Sequence, residues 1–236
     1  MNTTIAWITA RGLFGRRRFL LLLPLPVILV GMAGLGWAIG QSADLAGPVL
    51  VGIGVAVVLP VIALIVGTAV LGSEIDDGTI VHILTKPIPR WKIVLSKLAV
   101  AFGVSGAVVA AAMFVAGTIV DGVRFGLAFA AASAVGALAY SALFLLLSLL
   151  TRRPVLIGLM YVMIWEGLLG NFVSGTKVLS VQQYVVSLAD RWAATELVTG
   201  TVSMGVAVTM SAVFTVVGTW LAINRLRLFS VAGETS

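Results

Sequence analysis

The sequence predicts an all-α membrane protein with six transmembrane helices. Of its 236 residues, 60% are apolar and only 10% are charged, and the mean hydropathy is +1.15. A water-soluble domain of this length cannot cover so much apolar surface with polar groups. The long apolar intervals lack the alternation of apolar and polar residues that is typical of a membrane β-barrel. A closed helical bundle is then the remaining way to hydrogen-bond every backbone group in lipid. We expect residues 1–236 to form a single transmembrane domain.

Six charge-poor intervals predict the spans, because a helix needs about 20 apolar residues to cross roughly 30 Å of hydrocarbon. The predicted spans cover about residues 19–41, 48–71, 98–120, 126–150, 154–173 and 201–223. Before the first span, Met1–Gly15 carries Trp7 and Phe14 near one side of a helix, with Arg11 close by. This segment is predicted to be either an interfacial amphipathic helix or a frayed tail.

The distribution of Lys and Arg predicts the orientation. With a cytoplasmic N-terminus, twelve of the fifteen Lys and Arg residues lie on the cytoplasmic side, whereas the nine acidic residues are divided almost evenly. Both termini, and the loop between spans two and three, are therefore predicted to face the cytoplasm in a multi-pass protein of the cell membrane. This topology accounts for the net charge of +6, so no nucleic-acid partner is expected.

The sequence lacks the residues that the common catalytic motifs require. The chain has no Cys, and its one His is His82, which excludes a histidine metal cluster or a serine–histidine site within the bilayer. No paired aspartates follow Asp76-Asp77-Gly78 to hold a divalent metal. We therefore expect no catalytic residue, no metal site and no cofactor bound by this chain.

Glu166 is the one ionisable residue predicted at membrane depth. An unpaired carboxylate in lipid costs several kcal/mol, so Glu166 is either a proton or cation site or a hydrogen-bonded structural carboxylate near the outer interface. The structural role is favoured, because no other span supplies a second acidic residue for a relay.

An amphipathic helix is predicted within Lys177–Gly200, on the outer side. Val181, Tyr184, Val185, Leu188 and Trp192 recur at intervals of three and four residues, and Gln182, Gln183, Ser187, Asp190 and Arg191 lie on the opposite side. Such a helix would lie on or dip into the outer interface. It either caps a pathway or serves as an interfacial anchor.

The loop Gly72–Lys97 holds seven of the 24 charges, between two long apolar runs. Ser73 and Glu74 are predicted to cap a short helix, Gly78 allows a turn, and prolines then stop the helix before the third span. An apolar side at Ile80, Ile83 and Leu84 would fit the groove of a partner. The residues predicted to dock on a cytoplasmic partner are Glu74, Asp76, Asp77, Gly78, Thr79, Ile80, Ile83, Leu84, Pro87 and Arg90.

This loop resembles the first cytoplasmic loop of the membrane subunits of type-2 ABC exporters, the ABC-2-type permeases. The family signature is an acidic residue, a Gly-Thr or similar pair, an apolar stretch, Pro, then Arg, and a Lys at the next span. Those places are filled here by Glu74, Gly78-Thr79, Ile80–Leu84, Pro87 with Pro89, Arg90 and Lys97. The predicted spans, the cytoplasmic termini and the outer helical segment extend the resemblance over nearly the whole chain.

The resemblance implies that the loop is a coupling helix docked on an ABC ATPase subunit. Two permeases, either two copies of this chain or this chain and a paralogue, would pair with two ATPases that carry ATP and Mg. ATP binding would close the ATPases and turn the paired bundles from inward-open to outward-open. Because the chain has no large soluble extension, the ATPase is expected to be a separate polypeptide. The apolar spans favour an apolar or amphipathic cargo.

Two other functions remain open on the residues alone. An ion-coupled secondary transporter would need ion ligands within the membrane, for which the spans offer only Glu166. A non-transporting scaffold would use the same loop to recruit a different cytoplasmic protein.

Overall fold

A computed structural model describes residues 22–76, 89–169 and 174–232 of the chain, and every regular element in these ranges is helical. The predicted all-α class is confirmed. In chain order the elements are α1 (Pro24–Ala38), α2 (Ser42–Ala46), a first π-helical segment (Gly47–Val58), α3 (Leu59–Asp76), α4 (Arg90–Asp121), α5 (Val123–Leu150), α6 (Pro154–Met160), a second π-helical segment (Tyr161–Leu169), a 3₁₀ helix (Ser174–Leu179), α7 (Val181–Ala193) and α8 (Met204–Ala232). The predicted N-terminal helix lies outside the described residues.

Among the described residues, four helices are long and apolar enough to cross a membrane: Ser42–Gly72, Arg90–Asp121, Val123–Leu150 and Met204–Leu228. Two apolar helices, Pro24–Ala38 and Pro154–Leu168, are shorter and fall in the first and fifth predicted spans. The helix assigned to the third span begins at Arg90 rather than near Leu98 and runs for 32 residues. At 1.5 Å per residue it is about 48 Å long, so it extends well beyond the hydrocarbon thickness.

α5 is the central helix of the bundle, and α3, α4, α7 and α8 all pack against it. α4 and α5 form an antiparallel pair joined at Gly122, whose φ of +87° favours glycine. The Ser105 and Ser141 hydroxyls link this pair by a hydrogen bond of 3.1 Å. We call the end of the bundle where α3 finishes and α4 begins the loop end, and the end that holds Gly122 the far end.

Prolines act at helix starts and at one change of helix type. Pro24 and Pro26 lie in the first turn of α1, where a missing N–H costs little. Pro60 lies at the start of α3, where the first π-helical segment gives way to an α-helix. Its missing N–H falls where the hydrogen-bond pattern already changes.

Large apolar side chains also cover the outside of the bundle. They are frequent on α6, which exposes Val155, Leu156, Ile157, Leu159 and Met160. On a water-soluble protein so much exposed apolar surface would drive association, whereas a bilayer solvates it. The chain is therefore a multi-pass membrane protein.

Candidate functional site

The base of the cytoplasmic loop is the first candidate site. α3 ends at Asp76, and α4 begins at Arg90 after Pro89, whose extended backbone (φ −58°, ψ 130°) leads into the helix. Arg90 itself is half-buried. The docking residues predicted at Asp77, Gly78, Thr79, Ile80, Ile83, Leu84 and Pro87 lie outside the described residues, and of Glu74 and Asp76 only the backbone is described.

Ser73 and Glu74 do not begin a separate helix. The backbone of α3 continues through both residues to Asp76, so the predicted cap at this position is wrong. Hydropathy predicts the end of a span where charged residues begin. A helix can continue into water beyond that point as long as its backbone hydrogen bonds form. Helices therefore flank residues 77–88 on both sides, with α3 ending at Asp76 and α4 beginning at Arg90.

Lys97 ties these two helices together at the loop end. Its side chain is fully buried, at 0% exposure, although the sequence placed it at the boundary of a span. The Lys97 Nζ donates a hydrogen bond of 2.8 Å to the backbone carbonyl of Val70 in α3. A buried lysine is costly unless it is paired, so this contact specifies how α4 meets α3.

An apolar cluster surrounds this base and joins it to the rest of the bundle. Its buried members come from α3, α4, α5 and α8: Leu71, Ile93, Val94, Leu98, Ala142, Leu145, Leu149, Ala222 and Leu226. Close-packed interiors transmit displacement rather than absorb it. The base of the loop is packed against the central helix and α8.

Glu166 forms a second polar site within the described bundle. It lies in the second π-helical segment at 1% exposure. Its Oε1 accepts from the Tyr161 hydroxyl at 3.2 Å and from the backbone N–H of Val181 at 3.0 Å. Its Oε2 accepts from the Ser180 hydroxyl at 2.5 Å and from the backbone N–H of Gln182 at 3.4 Å.

The carboxylate thus caps the start of α7. The first N–H groups of a helix lack partners within that helix, and the positive end of its dipole favours an anion. Ser180 is the N-cap residue, and its hydroxyl also accepts from the backbone N–H of Gln183 at 3.3 Å. Glu166 therefore fixes α7 to the fifth apolar helix.

The groups around Glu166 are hydrogen-bond donors, which stabilise its carboxylate and do not suit a bound cation. All four contacts are hydrogen-bond donors, and a bound metal would require oxygen acceptors in their place. The Tyr140 hydroxyl lies beside Glu166 and Gln182 and is a further donor group. No group of three or more His, Cys, Asp or Glu is placed to hold a metal within the described ranges. These contacts favour the structural role of Glu166.

α7 is buried more completely than the predicted interfacial helix. Its bounds fall within the predicted segment, and the expected apolar residues Val181, Tyr184, Val185 and Leu188 are buried. Gln182 and Ser187, expected on the polar side, are also buried, because α7 packs against both α5 and α8. The Gln182 amide donates to the Ala56 carbonyl at 3.4 Å, and the Ser187 hydroxyl accepts from the Val202 N–H at 3.2 Å. α7 is thus part of the bundle.

Close contacts hold α7 in place. A Cβ at Gly136 in α5 would lie 2.4 Å from Cγ2 of Val185, and one at Gly200 would lie 2.6 Å from Cα of Ser187.

Burial and then the negative charge of Glu166 raise the pKa of Tyr184 to about 12. Its phenol therefore stays protonated and donates to the carbonyl of Val178.

The roles of Ser180 and Tyr161 and the burial of Lys97 were not predicted from the sequence. For Ser180 a signal was present, since Ser180-Val181-Gln182-Gln183 is a Ser-x-x-Gln capping sequence at a helix start. For Lys97 no signal exists in hydropathy, which places any lysine at the edge of a span.

These features define a polytopic helical membrane protein whose loop is flanked by two helices that pack into the bundle. Residues 3–223 match the family described as ABC-2 family transporter protein. The chain belongs to this family and is a transport component of the membrane. A comparison with curated proteins gave no match.

Proposed function

We propose that this chain is the membrane-spanning permease subunit of an ATP-driven ABC exporter. A separate ATPase subunit, with ATP and Mg bound to it, would dock on the loop between α3 and α4. Two such permeases, identical or paralogous, would move an apolar or amphipathic substrate outward between them. The termini and the loop would face the cytoplasm, as the distribution of Lys and Arg predicts.

The contact that carries this proposal is the hydrogen bond between Lys97 and Val70 at the base of the loop. It joins the helices on either side of residues 77–88, and the apolar cluster around it includes α5 and α8. A docked ATPase that displaced the loop would therefore move four helices together. Family membership supports the same function, because the matched region includes this loop.

The surroundings of Glu166 weigh against the secondary transporter. That function needs an ion site, and the four donors around the carboxylate leave it no place for a cation. The scaffold is tested by co-purification. A stoichiometric ATPase supports the exporter, whereas a different soluble partner supports the scaffold.

Charge reversal at Glu74 and the substitution Ile83→Asp test the docking role. Each variant should insert normally but lose at least tenfold in transport, because a charge pair or an apolar anchor at the ATPase contact is lost. Transport and ATP hydrolysis are measured together in proteoliposomes that also contain the ATPase.

Glu196→Lys is the matched control, since Glu196 is an exposed acidic residue in the segment after α7. It should transport at the wild-type rate. Unchanged transport in both the Glu74→Lys and Ile83→Asp variants would refute docking through this loop.

A further inference from the structure

An open groove of about 520 Å³ lies at the far end of the bundle. Five of its lining residues come from the first turns of α5, and the sixth is Trp192 near the end of α7. The α5 residues lie at helical spacings that share one face. They are Val123, Arg124, Leu127, Ala128 and Ala131.

The groove is apolar along its length and carries one charge at its end. Val123 and Leu127 are 58% and 57% exposed, so the wall they form is open to the surroundings of the bundle. From Arg124 to Ala131 the face extends for about 10 Å along α5. Arg124 is exposed, and Asp121, the nearest acidic residue before it in the chain, does not line the groove.

We propose that this groove binds an anionic lipid of the leaflet at the far end. Its phosphate would pair with Arg124, and one acyl chain would lie along Leu127 and Ala131. Trp192 would lie at the level of the lipid headgroup, where tryptophan is favoured. Arginine binds phosphate through several N–H donors and is weakly hydrated, which suits a membrane interface.

The charge at the end of the groove favours a lipid over a second copy of this chain. Cores of protein–protein interfaces are depleted of charge, whereas a second copy seated on the groove would bury Arg124. A lipid satisfies the apolar wall and the guanidinium at once. This inference does not depend on ATP-driven transport.

Quenching of Trp192 fluorescence by brominated lipids tests the proposal. The full chain is placed in phosphatidylcholine vesicles that contain a minority of brominated phosphatidylglycerol or of brominated phosphatidylcholine. The signal of Trp192 is the difference between the wild type and Trp192→Phe. The anionic lipid should occupy the groove about fivefold more readily than the zwitterionic one, the usual effect of one basic residue at a charged interface.

Three variants decide whether the groove causes this preference. Arg124→Gln should reduce the ratio of anionic to zwitterionic lipid occupancy to about one. Arg191→Gln should retain the preference, because Arg191 is an exposed neighbour of Trp192 that does not line the groove. Ala131→Phe should fill the groove from its exposed side and weaken quenching by both lipids. Equal quenching by the two lipids in the wild type, or a preference that survives Arg124→Gln, would overturn the proposal. So would a loss of dimer in Ala131→Phe without any change in quenching, since a second copy would then cover the groove.

Discussion

Replacing Glu166 by Leu is expected to lower the midpoint of thermal unfolding by about 10 °C. The substitution removes the acceptor of four hydrogen bonds in a site that is 1% exposed. The two hydroxyls can rotate toward other acceptors, but the backbone N–H groups of Val181 and Gln182 cannot. Each unsatisfied buried donor costs about 1–3 kcal/mol, so the free energy of unfolding falls by several kcal/mol.

Glu166→Gln is expected to have an intermediate effect. The amide keeps one acceptor oxygen for two of the donors and turns an NH₂ group toward the other two. Hydrogen exchange should report the same order locally, with the amides of the first turn of α7 exchanging at least tenfold faster in Glu166→Leu while those of the central helix α5 are less affected. The measurements are thermal unfolding and hydrogen exchange of the purified protein.

Glu196→Gln is the control for this pair, because it removes an exposed carboxylate that follows α7. It should change the free energy of unfolding by no more than about 0.5 kcal/mol. If Glu166→Leu proved as stable as this control, the carboxylate would not anchor α7. A cation site predicts that result, since removal of an unpaired buried charge relieves a cost.

Hydropathy and helical spacing predicted much of the bundle. The all-α class is confirmed, and the helix at Val123–Leu150 nearly coincides with the predicted span at 126–150. The charge-free intervals missed the true helix ends, because charged residues at Arg90 and beyond Asn224 remain helical outside the apolar region. Hydropathy locates the membrane, whereas backbone hydrogen bonding sets the length of a helix.

Partners of buried polar groups could not be predicted from the sequence. Glu166 meets Ser180, Val181 and Gln182, which lie 14 to 16 residues later in the chain. A hydrogen bond across that separation depends on where the intervening backbone turns, and hydrophobic periodicity holds no information about it. The π-helical segment that carries Glu166 adds to the difficulty, because its side-chain directions differ from those of an α-helix.

Lys97→Glu is expected to prevent accumulation of the folded protein. The side chain is fully buried, and a carboxylate would face the Val70 carbonyl with no hydrogen to donate. Lys97→Met has a different expected outcome, because methionine fills a similar volume without a charge. The Val70 carbonyl also remains within the backbone of α3, which continues to Asp76. The midpoint of thermal unfolding of Lys97→Met should stay within about 5 °C of the wild type, since exchange of a buried charge for an apolar group is often nearly neutral.

The same Lys97→Met variant is expected to lose at least tenfold in transport per ATP hydrolysed. Without the bond to Val70, α3 and α4 can slide past each other, and motion of the docked loop is no longer shared between them. Lys92→Met is the matched control, because Lys92 lies on the same helix, is half-buried and has its Nζ 5.5 Å from the centre of the Trp91 ring. It should leave the coupling ratio unchanged. A stable Lys97→Met protein that transports with the wild-type ratio would show that the contact only holds the two helices together, whereas a stable but uncoupled one would make Lys97 the residue through which the loop moves the bundle.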